Sequence, residues 1–354
     1  MQPQGKDGGD DPTKTSFAPR IGHLLKTSEL KRSISPIPAL KAYLTRIGLP
    51  TLIADVEERI DKLANNPSGI TDPFDSIYRI VWKLTLRIVG ANDIAEDPQM
   101  SEQTLQNLET LERSATATAI MFPKIPSLPI LRRTYAGAKL YMTIRNIINK
   151  RKASGEKQDD PLQYLIDKGD STYNIIEFIL GSIFAGQLNS GINAAWVLVW
   201  LAKDEYWRGE VIKEVRKVAA KYAKTPSLRL RDQLADVPLE AWESEFPVID
   251  LCLRESIRFN GVGNALRRNI SGQDIPLGNG EVIPANAFAT YAMADTLLNP
   301  SIYRDPEKFD PGRFLPDRAE DKKQEHAYIG WGVGRHPCRK SISFGAMFSL
   351  RNRY

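Results

Sequence analysis

The amino-acid sequence predicts a mainly α-helical chain with a minor β region. Three observations predict it. Apolar residues recur at helical spacing in successive stretches from Thr51 to Phe259, separated by capping residues and prolines. From Gly261 the composition shifts toward Gly, Pro and Asn, and short runs such as Glu281-Val282-Ile283 read as strands between turns. A glycine-rich stretch, Tyr328 to Lys340, then precedes an apolar, helix-compatible run (Ile342, Phe344, Ala346, Met347, Phe348, Leu350).

Met1 to Ser16 is polar and reads as a disordered leader, and residues 17–354 can hold one large core or two ordinary domains. Ile37, Leu40, Tyr43, Leu44 and Ile47 allow a marginal helix. Thr51 to Leu63 is helical (Leu52, Ile53, Val56, Ile60), closed by Asn65-Asn66-Pro67. Asp72 caps a helix opening at Pro73, whose stripe of Ile77, Ile80, Val81, Leu84 and Ile88 runs to Gly90. Residues 101–120 form a helix ended by the proline-rich Phe122 to Pro129. A basic amphipathic helix covers Arg132 to Lys152, before a polar loop from Ala153 to Asp160. Pro161 to Gly169 is a short helix, and Tyr173 to Ala202 is the longest apolar segment. Residues 204–224 form a charged helix with Val211, Ile212, Val215, Val218 and Ala219 inside, and Phe246 to Phe259 is the next helix.

With 354 residues, 42% hydrophobic and 26% charged, the composition is that of a soluble globular protein. Cys252 and Cys338 are too few for a disulfide framework and point to a reducing compartment. The net charge of +5 suits an acidic partner or peripheral contact with anionic lipid, and no basic run is dense enough for nucleic acid. No signal peptide or N-terminal anchor helix is read, so the chain taken literally is cytoplasmic.

Tyr173 to Ala202 spans roughly 45 Å as a helix, long enough to cross a membrane. Gln187, Asn189, Ser190 and Asn193 interrupt it, which favours a central helix buried on most sides. The small residues of Ala185-Gly186-Gln187-Leu188-Asn189-Ser190 allow either a flat ligand or a neighbouring helix to lie close. Glu255 and Arg258 share a helix face. They form an exposed pair or, because Leu251, Cys252, Leu253, Ile257 and Phe259 make the helix apolar, a buried pair needing a further partner, for which Arg313 is the candidate.

Cys338 follows Trp331, Gly332, Gly334, Arg335 and His336 and precedes a helix-compatible run. It is either a buried free cysteine in a glycine-rich loop or a thiolate stabilised by amides and basic neighbours. One cysteine without a partner at zinc spacing suits an axial haem ligand better than zinc.

In register, Trp331, Gly332, Gly334, Arg335, His336 and Cys338 resemble the haem-binding loop of the cytochrome P450 family, with Trp331 for the usual Phe and Lys340 for a usual Gly. Ala185, Gly186 and Ser190 resemble the family's oxygen-activation helix, with Leu188 where an acid is common and Asn189 where a threonine is common. Glu255, Arg258 and Arg313 match its Glu-x-x-Arg and Pro-x-Arg-Phe structural triad, and Arg268 (with Arg267 as alternative) falls where a haem-propionate contact is frequent. The family's Trp-x-x-x-Arg helix has no counterpart, Trp82 lying in another pattern.

The resemblance implies a cytochrome P450 fold that is incomplete, without the N-terminal anchor and β region or the C-terminal strands. Its Ala-Gly-Gln start is similar to sterol demethylases and its asparagine to the prostacyclin synthase-like branch. It implies haem b with iron on Cys338, the triad locking the loop, and Ala185, Gly186, Asn189 and Ser190 on the oxygen side. The expected reaction is monooxygenation of an apolar small molecule such as a steroid, terpenoid or other specialised metabolite. Ile183, Phe184, Leu188 and Ile192 would flank the substrate, NADPH-cytochrome reductase would supply electrons, and the site would be the cytosolic face of the endoplasmic reticulum membrane. Alternatives are a haem-thiolate isomerase or dehydratase acting on a peroxide, a truncated non-catalytic remnant, and a membrane-spanning helical binding protein.

Overall fold

The computed structural model describes residues 49–332 except 117, 118, 120–124 and 262. The leader, the marginal helix before residue 49, and Gly334, Arg335, His336, Cys338, Lys340 and the final helix lie outside the described residues. The described residues are mainly helical with short strands, as the sequence predicts. They divide into two compact units, one drawn from residues up to Gly69 with Arg79–Asn189, the other from Ile70–Tyr78 with residues from Ser190 on.

The first unit contains α1 (Leu49–Ala64), most of α2 (Pro73–Val89), α3 (Asn92–Glu96), α4 (Pro98–Arg113), α5 (Leu128–Ser154), α6 (Pro161–Asp167) and the first part of α7 (Thr172–Lys203). Acidic caps set the starts. The Asp97 carboxylate accepts from the Met100 amide at 2.9 Å and Asp160 from the Gln163 amide at 2.8 Å. α4 therefore opens earlier than expected, and it ends at Arg113, well before residue 120. α5 also starts earlier than expected, because a proline at its first turn costs no hydrogen bond. Gly155, at φ +71°, ends it in the left-handed conformation. α4 packs along α5, where Gly137 faces the Leu111 methyl. Arg151, buried in the last turn of α5, donates to Asp160 at 2.8 Å and to Asp93 of α3 at 3.1 Å. That links three elements through one guanidinium.

The second unit holds the rest of α7, then α8 (Glu205–Tyr222), α9 (Leu230–Leu234), α10 (Leu239–Trp242), α11 (Pro247–Asn260) and α12 (Met293–Leu297). Here the Asp72 carboxylate does cap α2, accepting from the Phe74 amide at 2.8 Å. In α8 Val218 and Ala219 are buried, but Ile212, expected inside, is exposed. Strands β1 (Asn264–Arg268) and β4 (Phe288–Ala292) pair antiparallel with Leu266 opposite Thr290, and β2 (Ile275–Pro276) pairs with β3 (Val282–Ile283). The core joins Val197 and Leu201 of α7 to Cys252, Leu253 and Ile257 of α11 and to Phe309, with Tyr328 and Trp331 packed against it.

α7 is long and apolar enough to span a membrane by length and composition. Ile175, Ile176, Ile179 and Ile183 are buried within the first unit and Ala194, Ala195, Val197 and Leu201 within the second, while Tyr173, Ile192 and Leu198 are exposed. The expectation of burial on most sides is met by one stripe, not by the whole circumference.

Candidate functional site

α11 places Glu255 and Arg258 one turn apart on its buried face, and the chain returns as a 3-10 turn, Pro311–Phe314, to deliver Arg313. All three side chains are fully buried. Arg258 grips the Glu255 carboxylate with both arms of its fork, Nε at 2.8 Å from Oε2 and Nη2 at 2.9 Å from Oε1. Arg313 Nε donates to Oε1 at 2.9 Å and the Asp310 amide donates to the same oxygen at 3.0 Å. Further guanidinium donations go to backbone carbonyls, Leu297 and Pro306 for Arg258, Arg304 and Lys308 for Arg313. Buried charge is tolerable here because every donor has an acceptor.

Sequence reasoning missed a second acid. Arg313 Nη1 donates to Glu320 Oε2 at 2.8 Å, so two anions face the two buried cations. Burial pushes the Glu320 carboxyl up, but bonds from Arg318, the Arg304 amide and Arg313 outweigh it and hold it below the ordinary range. In the sequence Asp317-Arg318-Ala319-Glu320-Asp321 reads as a solvated charge run. No local signal marks Glu320 as the buried member.

The brace meets the cysteine stretch indirectly. Tyr303, fully buried, has the guanidinium carbons of Arg258 and Arg313 at 5.1 and 5.7 Å from its ring centre, and its hydroxyl donates to the Ala327 carbonyl at 2.9 Å. Beyond it, Tyr328 to Gly332 is a turn closed by the Gly332 amide on the Ile329 carbonyl at 2.8 Å, with Gly332 at φ +74°. A Cβ on Gly330 would lie 2.6 Å from an Ile257 methyl, so this backbone rests directly on α11.

The other sequence-derived positions fall out differently. Arg268 is exposed on β1, its Nε 3.4 Å from the Asn286 carbonyl and its guanidinium 5.8 Å from the Phe288 ring centre. On α7 Ala185 is half-buried, Asn189 exposed and Ser190 buried. A Cβ on Gly186 would sit 2.9 Å from the Thr85 methyl of α2, which fits the helix-packing alternative for this small-residue segment. Its smallness serves helix packing. Ile183 is likewise packed into the core, whereas Phe184 and Leu188 are half-buried and Ile192 exposed. Trp82 is buried, with its indole N–H on Ser101 at 3.0 Å, which occupies its donor.

Two tests bear on whether the chain suits a haem ligated by thiolate. Among the described residues no group of three or more His, Cys, Asp or Glu could hold a metal ion. Cys252 is fully buried, and burial together with nearby Glu214 and Asp204 pushes its thiol up to about 12. It cannot supply a thiolate near neutral pH. Of the two cysteines, ligation falls to Cys338, six residues after the seated turn at Gly332. A single available thiolate fits the axial position on haem iron.

The sequence profile of the cytochrome P450 family matches residues 50–339. The chain is 35% identical over 294 residues to cytochrome P450 monooxygenase AacuE of Aspergillus aculeatus, covering 82% of this chain and 59% of that protein. It is 35% identical over 292 residues to cytochrome P450 monooxygenase nsrP of Aspergillus novofumigatus, covering 82% and 56%. It is 25% identical over 310 residues to obtusifoliol 14-alpha demethylase of Sorghum bicolor, covering 85% and 60%. The chain thus spans about six-tenths of these relatives' lengths. In fold it resembles the retinoic acid-bound cyanobacterial CYP120A1, with a TM-score of 0.64, 21% identity, and coverage of 87% of this chain and 65% of that one. Sequence profile, fold and buried Glu255–Arg258–Arg313 brace agree, and the chain belongs to the cytochrome P450 family.

Proposed function

We propose that this chain is the core of a haem-thiolate monooxygenase that inserts one oxygen atom into an apolar small molecule. The observation that carries the reading is the family match over residues 50–339 together with a turn, Tyr328 to Gly332, seated on α11 and leading to Cys338. When bound, haem with a thiolate on its iron supplies oxygen activation and insertion into a C–H bond. Cys338 would hold the iron, with Trp331, Gly334, Arg335 and His336 shaping the loop around it. Arg268, exposed on β1, would pair with a propionate through a charge-assisted bond. Asn189, exposed on α7 where Ser190 is buried, would orient water toward the reacting side. Phe184, Leu188 and Ile192 would present apolar surface to a steroid, terpenoid or other specialised metabolite. NADPH-cytochrome reductase would supply the electrons, at the cytosolic face of the endoplasmic reticulum membrane. α5 supports lipid contact there, because its exposed stripe combines Leu128, Leu131, Tyr135 and Met142 with Arg132 and Lys139.

The test is spectroscopic. Wild-type chain supplied with haem should give a Soret band and the carbon monoxide signature of thiolate ligation. Cys338→Ser should lose that signature, and Cys252→Ala should keep it. No Soret band in the wild type would make the chain a non-catalytic remnant. A second reading rests on Leu188 and Asn189, neither of which can deliver a titrating proton. It is an isomerase or dehydratase acting on a peroxide. Rapid consumption of a hydroperoxide without reductase would favour it, and NADPH-dependent turnover improved by Asn189→Thr would exclude it.

A further inference from the structure

We propose that Arg254 is the positioning residue that seats the turn leading to Cys338, acting separately from the buried brace. Among the described residues the hydrogen bonds of Glu255, Arg258 and Arg313 end on α11 itself and on the segment 297–320, and none reaches Tyr328–Gly332. Arg254 reaches it twice. Its backbone carbonyl accepts from the Tyr328 hydroxyl at 3.3 Å, and its guanidinium lies 5.1 Å from the Tyr328 ring centre. On another side the same guanidinium is 4.2 Å from the Phe314 ring centre, while Nη2 donates to Asp321 at 2.7 Å, fixing its plane. Phe314 and Tyr328 meet edge to face at 5.6 Å. The phenol of Tyr328 is pushed above its ordinary range by burial, so it remains a donor.

The link from this clamp to the backbone is steric. A Cβ on Gly330 would lie 2.5 Å from the Tyr328 hydroxyl and 2.6 Å from the Ile257 methyl. The main chain at Gly330 therefore lies directly against the ring that Arg254 holds. If Tyr328 leaves its place, the support under Gly330 and Gly332 goes with it. A planar guanidinium is needed for this. Lysine could keep the Asp321 ion pair, but as a point charge it cannot lie flat against both rings.

Hydrogen exchange on the full-length chain tests the seat directly. In Arg254→Ala, amides of Ile329 to Gly332 should exchange about tenfold faster, a change of about 1.4 kcal/mol in local opening. Amides of α11 and of Pro311–Phe314 should change by less than about twofold. Arg254→Lys should fall between wild type and Arg254→Ala. If Arg254→Ala does not fold, Arg254→Lys carries the same comparison, and Tyr328→Phe measures how much of the seat the hydroxyl bond to the Arg254 backbone carbonyl supplies. Unchanged exchange in the turn, or an equal rise throughout α11 and the turn, would overturn the proposal. A second arm rests on the haem-thiolate reading: haem-loaded Arg254→Ala should lose part of the thiolate carbon monoxide signature at unchanged haem content, with Arg254→Lys recovering some of it. A wild type without any Soret band would sink that reading and leave the exchange arm to decide the role of Arg254.

Discussion

Glu255 Oε1 accepts from Arg258, Arg313 and the Asp310 amide, with the side chain fully withdrawn from water. Glu255→Gln keeps the shape but leaves two buried guanidinium groups facing one anion, Glu320. Removing one partner from such a network costs about 3–5 kcal/mol, so a loss of unfolding free energy of that size, read from denaturant unfolding, is expected. A different carboxylate sets a pH dependence. Asp250, in the first turn of α11, is pushed up to about 7 by burial, with Arg254 opposing the shift and Glu214 adding to it. Its folded form binds a proton that the unfolded chain has already released, so between the two pKa values stability falls as pH rises. Asp250→Asn should match the wild type near pH 4 and be more stable than it above pH 7. Thermal unfolding across that window reads the difference, and parallel curves would refute the assignment. Glu255, Arg258 and Arg313 were legible in the sequence because the first two share a helical face and the third sits in a distinctive short motif. Glu320, Tyr303 and Arg254 were not, since their roles arise from contacts with residues distant in sequence.

The helices were legible where local chemistry decides them. Asp72, Asp160 and Asp204 each accept a first-turn amide, at 2.8, 2.8 and 3.0 Å, and the sequence reading begins or ends an element at each of them, with Asp72 read as a cap. What a helix packs against was not legible. The glycines of α7 show this, because identical residues on one helix meet three surroundings. A Cβ on Gly181 meets nothing within 4 Å, one on Gly186 lies 2.9 Å from the Thr85 methyl, and one on Gly191 lies 2.7 Å from the Tyr78 ring. Gly181→Ala should stabilise the chain by about 0.5–1 kcal/mol through helix propensity. Gly191→Ala should destabilise it by about 1–3 kcal/mol, as overpacking against a ring outweighs that gain. Gly186→Ala belongs between them, and combining it with Thr85→Ala should recover most of its loss. Denaturant unfolding of the three single variants gives the order. Equal effects would mean that propensity, and not packing, governs α7.

Charge is distributed unevenly over the whole molecule. Between Glu112 and Glu156 there is no acidic residue, although Arg113, Lys124, Arg132, Arg133, Lys139, Arg145, Lys150, Arg151 and Lys152 all fall there. The single-residue reading of net charge, +5, conceals this tract. Of these cations Arg151 is consumed internally by Asp160 and Asp93, so it adds nothing to the surface field. Arg132 and Lys139 instead share the outward stripe of α5 with Leu128, Leu131, Tyr135 and Met142, each of which is more than half exposed. An aqueous surface gains nothing from that apolar set, whereas a lipid headgroup layer satisfies both halves of the stripe. The full chain should therefore sediment with vesicles containing phosphatidylserine and much less with phosphatidylcholine alone. Leu131→Asp should weaken binding at every salt concentration, because it removes insertion. Arg132→Glu with Lys139→Glu should weaken it most at low salt, where headgroup attraction is least screened. Equal sedimentation with neutral and anionic vesicles, unaffected by either change, would remove this face from the membrane-bound orientation proposed for the protein.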